Sequence, residues 1–124
     1  VTIHDACNLP VGDTHGVSDP YVVCQIFGRE SPEFQTKVIE QSLDPVWNEE
    51  HAIRSYTPGE ALHFLILDED NPVKESVTSN DFLGEVLLGS EEFYPQGFTG
   101  ELRLENVPGG KPALLRLTIE VDEG

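Results

Sequence analysis

Short segments of alternating polarity, cut apart by Gly, Pro, Asn and Asp, constrain this chain more than any other feature. The clearest lies near the end. Leu115, Leu117, Ile119 and Val121 fall on one face of an extended backbone, and Arg116, Thr118 and Glu120 fall on the other. Leu102 and Leu104 alternate with Glu101, Arg103 and Glu105 in the same way. Leu62 to Leu67 is apolar on both faces apart from His63, the pattern of a strand with neighbours on either side. With Val1–Ala6, Tyr21–Phe27, Phe34–Gln41, Asn48–Ser55 and Leu83–Leu88, the expected strands number eight. Gly28–Pro32, Pro58-Gly59 and Pro108-Gly109-Gly110 read as turns, and Ser90–Tyr94 has room for one turn of helix. The expectation is an all-β, eight-stranded antiparallel β-sandwich.

The chain of 124 residues is long enough for a sizeable core, and no change of composition divides it. Residues 1–124 are expected to form a single domain. The sequence opens directly in a strand-like pattern, with no basic-then-apolar leader, and reads as a domain excised from a larger protein. No apolar run approaches the length needed to span a bilayer. Cys7 and Cys24 lie outside any C-x-x-C, have no histidine at zinc-ligand spacing, and read as small buried thiols.

Charge narrows the choice of partner. Seven Lys and Arg stand against 23 Asp and Glu, for a net charge of −16. Such a chain repels nucleic acid, whose phosphates need clustered cations. It also repels anionic lipid unless its charge is locally inverted. The aspartates bunch in two loops. The first runs from Pro10 to Pro20 and holds Asp13 and Asp19; the second runs from Asp68 to Asp81 and holds Asp70 between them. Asp68 and Asp70 leave the end of an apolar strand and share one side of its backbone. Gathered carboxylates repel one another unless a cation joins them. Oxygen donors without thiolate or imidazole suit Ca²⁺, and the looseness of the loops disfavours the strict octahedron of Mg²⁺. An EF-hand beginning at Asp68 fails, because Val73 stands where Gly is required and Ser79 where Glu is required. A solvated acidic loop without metal is the other reading of these residues.

At these residues the sequence resembles the C2 domain family across essentially its whole length. Asn8-Leu9-Pro10 and Gly16-Val17-Ser18-Asp19-Pro20-Tyr21-Val22 match the stretch around the family's first calcium loop. Thr36-Lys37-Val38 and Leu43-Asp44-Pro45-Val46-Trp47-Asn48-Glu49 match its middle segment, with Asp44 where Asn is more usual. Asp68-x-Asp70 and Asn80-Asp81-Phe82-Leu83-Gly84 match its third loop, which is longer here than is typical. The resemblance implies a Ca²⁺-binding pentad of Asp13, Asp19, Asp68, Asp70 and Asp81. It also implies the circularly permuted, type II strand order of phosphoinositide phospholipases C and novel protein kinases C, with Leu114–Val121 paired beside the first strand.

The function so implied is a calcium-dependent phospholipid-binding module that carries a parent protein to anionic, phosphatidylserine-like membranes. Its expected location is cytoplasmic, with peripheral membrane association when calcium rises. Val17, Val73 and Val77 are candidates to enter the lipid interface, with ordinary loop packing as the alternative. The competing class is a protein-interaction module in which calcium is structural or regulatory. Catalysis is not expected: Gly16-Val17-Ser18-Asp19-Pro20 approaches a nucleophile elbow but ends in Pro20, and lies between strands. Nor is a constitutive phosphoinositide site expected, since Lys37 has Glu33, Glu40 and Gln41 around it rather than other cations.

Overall fold

The computed structural model describes residues 1–10, 19–69 and 81–121, with Asp81 represented by its backbone. Its strands are β1 (Thr2–Cys7), β2 (Pro20–Ile26), β3 (Phe34–Gln35), β4 (Val46–Glu50), β5 (Leu62–Asp68), β6 (Asp81–Leu88), β7 (Phe98–Arg103) and β8 (Leu114–Ile119). A single helical turn, α1 (Ser90–Phe93), joins β6 to β7. The strands form two four-stranded sheets, ordered β4-β1-β8-β7 and β3-β2-β5-β6. Every pairing is antiparallel, and the last strand lies beside the first, as the permuted order requires.

The period-two pattern builds the core between the sheets. Ile3, Leu115, Leu117 and Ile119 face inward from one sheet. Val22, Cys24, Ile26, Leu62, Phe64, Ile66, Leu83 and Val86 face them from the other. Each buried Leu, Ile or Phe side chain contributes about 1.5–3 kcal/mol through area removed from water. Burial pushes the Cys24 thiol up to about 12, whereas Cys7 is half-buried; neither forms a disulfide.

Three strands are shorter than their sequence suggests: β8 stops at Ile119 rather than Val121, and β3 and β4 depart further. The ladder of β3 ends at Gln35 because the Thr36 hydroxyl takes over: it accepts the Val22 N–H at 3.0 Å and donates to the Lys37 carbonyl at 2.9 Å. The Lys37 N–H then turns to the other sheet and donates to Glu49 Oε2 at 2.9 Å. The Trp47 indole N–H donates to the Lys37 carbonyl at 2.9 Å, and the Phe34 ring stacks on His51 at 4.3 Å. These contacts latch β3 to β4 along one side of the sandwich. In β4, Asn48 adopts a left-handed backbone at φ 49° near a register shift in β1, the signature of a bulge. Beyond His51, which bonds Val1 through both its N–H and its carbonyl, the segment leaves the sheet.

The register gathers several connections at one end. Cys7 lies opposite Leu114, Pro20 opposite Asp68, and Asp68 opposite Asp81. The β1–β2, β3–β4, β5–β6 and β7–β8 connections therefore leave from the same end of the sandwich.

Candidate metal centre

Asp68 completes an inward-facing row. Along β5 the buried positions are Leu62, Phe64, Ile66 and Asp68, so the last of these carries its carboxylate to the mouth between the sheets, where it is 4% exposed. A buried charge is costly unless bonded. Asp68 Oδ1 accepts the Asp19 N–H at 2.7 Å, and the Asp19 carbonyl accepts the Glu69 N–H at 2.9 Å. The β2–β5 ladder thus continues by one residue, with a carboxylate in the place of a backbone acceptor.

Asp19 is half-buried and immediately precedes β2. Its Oδ1 accepts the Gln41 N–H at 2.7 Å. Asp81 opens β6 in register with Asp68. Neighbouring strands lie about 4.8 Å apart, so the backbones at positions 20, 68 and 81 fall within roughly 10 Å of one another. Three of the five expected aspartates are thereby placed at adjacent strand ends. Asp13, Asp70, Val17, Val73 and Val77 lie outside the described residues. Among the described residues no group of three or more His, Cys, Asp or Glu side chains is placed to hold a metal ion.

The donors present fit a hard cation. Asp19 and Asp68 supply carboxylate oxygens on neighbouring strands, with no thiolate or imidazole beside them among the hydrogen-bonded groups. The described histidines are engaged elsewhere: His4 with Thr118, His51 with Glu49, and His63 with Glu85. Glu85 is held below its ordinary value by hydrogen bonds from Asn106 and then from His63. Burial pushes Glu49 up, but the bonds from His51 and the Lys37 N–H outweigh it and leave Glu49 lowered. Arg29 and Arg116 are paired with Glu60 and Asp5, so neither offers a free cation for phosphate.

Sequence reasoning missed two residues at this end. Gln41 falls inside the stretch read as a strand, yet it sits in a loop with φ 53°. Asp44 registers in the sequence only as a departure from Asn, yet its Oδ1 accepts the Asn8 N–H at 2.9 Å. The Asp44-Pro45 pair is a turn signal that marks the loop; nothing in the sequence marks Gln41.

Comparison with known proteins agrees with this architecture. The C2 domain family matches residues 1–104. Ras GTPase-activating protein 4B of Homo sapiens is 28% identical over 96% of this chain and 16% of its own length. Extended synaptotagmin-1 of Rattus norvegicus is 35% identical over 81% of this chain and 8% of its own length. The chain thus spans a small part of each curated relative. Among solved structures, the calcium-bound pair of C2 domains of extended synaptotagmin 2 superposes with a TM-score of 0.69 at 30% identity, covering 96% of this chain and 44% of that one.

Proposed function

This chain belongs to the C2 domain family, and we propose that it is a calcium-dependent module that docks a larger protein onto anionic phospholipid membranes. The carrying observation is the Asp68 carboxylate, buried at the mouth of the sandwich and bonded to the Asp19 N–H, with Asp81 in register beside it. On this reading Asp13, Asp19, Asp68, Asp70 and Asp81 hold Ca²⁺, and residues 1–124 form one domain of a longer chain. The calcium-bound relative at 30% identity supports the choice of ion.

When bound, roughly two calcium ions would supply about four positive charges and coordination sites open to lipid phosphate or carboxylate oxygens. The protein's part is to hold the donors. Asp68 is fixed by burial and its backbone donor, and Asp19 by Gln41. A chain of net charge −16 is repelled by an anionic surface unless its charge is locally inverted, and Arg29 and Arg116 are already paired. Val17, Val73 and Val77 then enter the interface. The domain contributes binding rather than chemistry, at the cytoplasmic face of a membrane. No helix among the described residues is long and apolar enough to cross one.

Calcium titration calorimetry with and without phosphatidylserine vesicles, paired with vesicle sedimentation, tests this reading. Calcium affinity is expected to rise on vesicles, because coupling between the two ligands is reciprocal. The double substitution Val73→Ser, Val77→Ser is expected to reduce pelleting while leaving calcium affinity in solution unchanged. Equal pelleting in calcium and in chelator overturns the membrane reading. Calcium heat without any pelleting favours the protein-interaction module instead.

A further inference from the structure

The first acidic loop is gripped at both its ends by the connection between β3 and β4. At its entrance, the Asn8 N–H donates to Asp44 Oδ1 at 2.9 Å and the Leu9 N–H to the Leu43 carbonyl at 3.1 Å. At its exit, the Gln41 N–H donates to Asp19 Oδ1 at 2.7 Å and the Ile39 N–H to the Pro20 carbonyl at 3.0 Å. The connection is itself folded by short bonds, the Asp44 N–H donating to Ser42 Oγ at 3.1 Å. Asp19 is therefore held twice, its carboxylate by the Gln41 N–H and its own N–H by the Asp68 carboxylate.

We infer that Gln41 is a positioning residue for the metal ligand Asp19, its left-handed backbone aiming an N–H at one carboxylate oxygen and so setting the direction of the other. This rests on the calcium reading above. The conformation is what matters. At φ 53° the Gln41 N–H points at Asp19, and an L-residue holds such an angle only where its surroundings compensate. Orientation costs entropy: a carboxylate already fixed by a backbone donor loses less freedom when it ligates than one free to rotate. The grip at Asn8 and Leu9 fixes the other end of the same loop, so the two ends cannot drift apart.

Three substitutions separate positioning from plain stability. Gln41→Asn keeps the N–H and tolerates the left-handed angle. Gln41→Val keeps the N–H but resists that angle because it is branched at Cβ. Ile26→Val trims a fully buried side chain at the opposite end of the sandwich. Calorimetry in solution is expected to show wild-type calcium affinity for Gln41→Asn and Ile26→Val. For Gln41→Val the affinity is expected to be weaker by roughly tenfold, which corresponds to about 1.4 kcal/mol. Melting in chelator is expected to fall for both Val variants, so loss of stability alone cannot mimic the effect. Wild-type affinity in Gln41→Val overturns the inference. So does a loss in Ile26→Val equal to that in Gln41→Val, which would make affinity follow stability. Absence of calcium heat in the unaltered chain removes the metal reading itself, and the positioning role falls with it.

Discussion

Asp68 bears two separable duties, and two substitutions part them. One is structural: its Oδ1 receives the Asp19 N–H at 2.7 Å in a place that is 4% exposed. The other is the proposed metal ligation, which requires the negative charge. Asp68→Ala removes the acceptor and orphans a sheltered N–H, at a cost of about 1–3 kcal/mol. For a chain of this length that lowers the melting temperature in chelator by roughly 4–12 °C. Asp68→Asn keeps an oxygen for the Asp19 N–H and removes the charge assistance of that bond, about 1 kcal/mol, part of which is recovered as repulsion from the other aspartates falls. In chelator Asp68→Asn should therefore melt within a few degrees of the unaltered protein. Calcium reverses the comparison. At a hundredfold excess over its dissociation constant it is expected to stabilise the unaltered protein by about 2.7 kcal/mol, roughly 10 °C, and to leave both variants where they were. Differential scanning calorimetry in millimolar calcium and in chelator reads all six values. A calcium response in Asp68→Asn equal to that of the unaltered protein refutes the ligand role. An unshifted chelator melt in Asp68→Ala refutes the structural one.

The Asn106 and His63 bonds that lower Glu85 stabilise the fold most fully above the carboxyl's ordinary 4.5, and that stability is lost as pH falls through the lowered folded value. Asn106→Ala is expected to raise the Glu85 titration seen by NMR and to remove part of the stability between neutral pH and the acid limb; an unmoved titration contradicts the assignment. Cys24, fully buried and with its thiol pushed up to about 12, is expected to resist a thiol-reactive disulfide reagent in the native state while half-buried Cys7 reacts. Equal labelling of both without denaturant would contradict the burial.

The sandwich was legible wherever one face of a strand is dry. Leu115, Leu117 and Ile119 alternate cleanly because β8 lies in the interior of its sheet, with core on one side and water on the other. Leu62–Leu67 was readable as an inner strand, and β5 does lie between β2 and β6. Periodicity failed where hydrogen bonding departs from the ladder. A strand over Phe34–Gln41 satisfies the pattern, but the Thr36 hydroxyl replaces a backbone partner, and a pattern of apolar positions carries no record of that exchange. The candidate site shows the same division. The aspartates announce themselves by type and spacing. The burial of Asp68 follows from the phase of the strand it ends, which Leu62, Phe64 and Ile66 already set. The contribution of Gln41 is made by its amide, which every residue but proline possesses, so its side chain could not signal it.

The adjacency of the first and last strands has a consequence for how the fold is reached. Thr2 faces Thr118 and Cys7 faces Leu114, pairings that span nearly the whole chain. The strand made first is an inner strand of its sheet and so has two sides to fill. β4 takes one of them, but the other waits for the final segment, which must slot between β1 and β7. During synthesis the ribosome releases a chain whose second sheet is already complete in sequence while the first still has a gap at its centre. Among the described pairings, β1 with β8 joins the residues farthest apart in sequence, and non-local pairing of this kind slows folding. The strand that fills the gap lies beyond residues 1–104, the span that the C2 domain family matches.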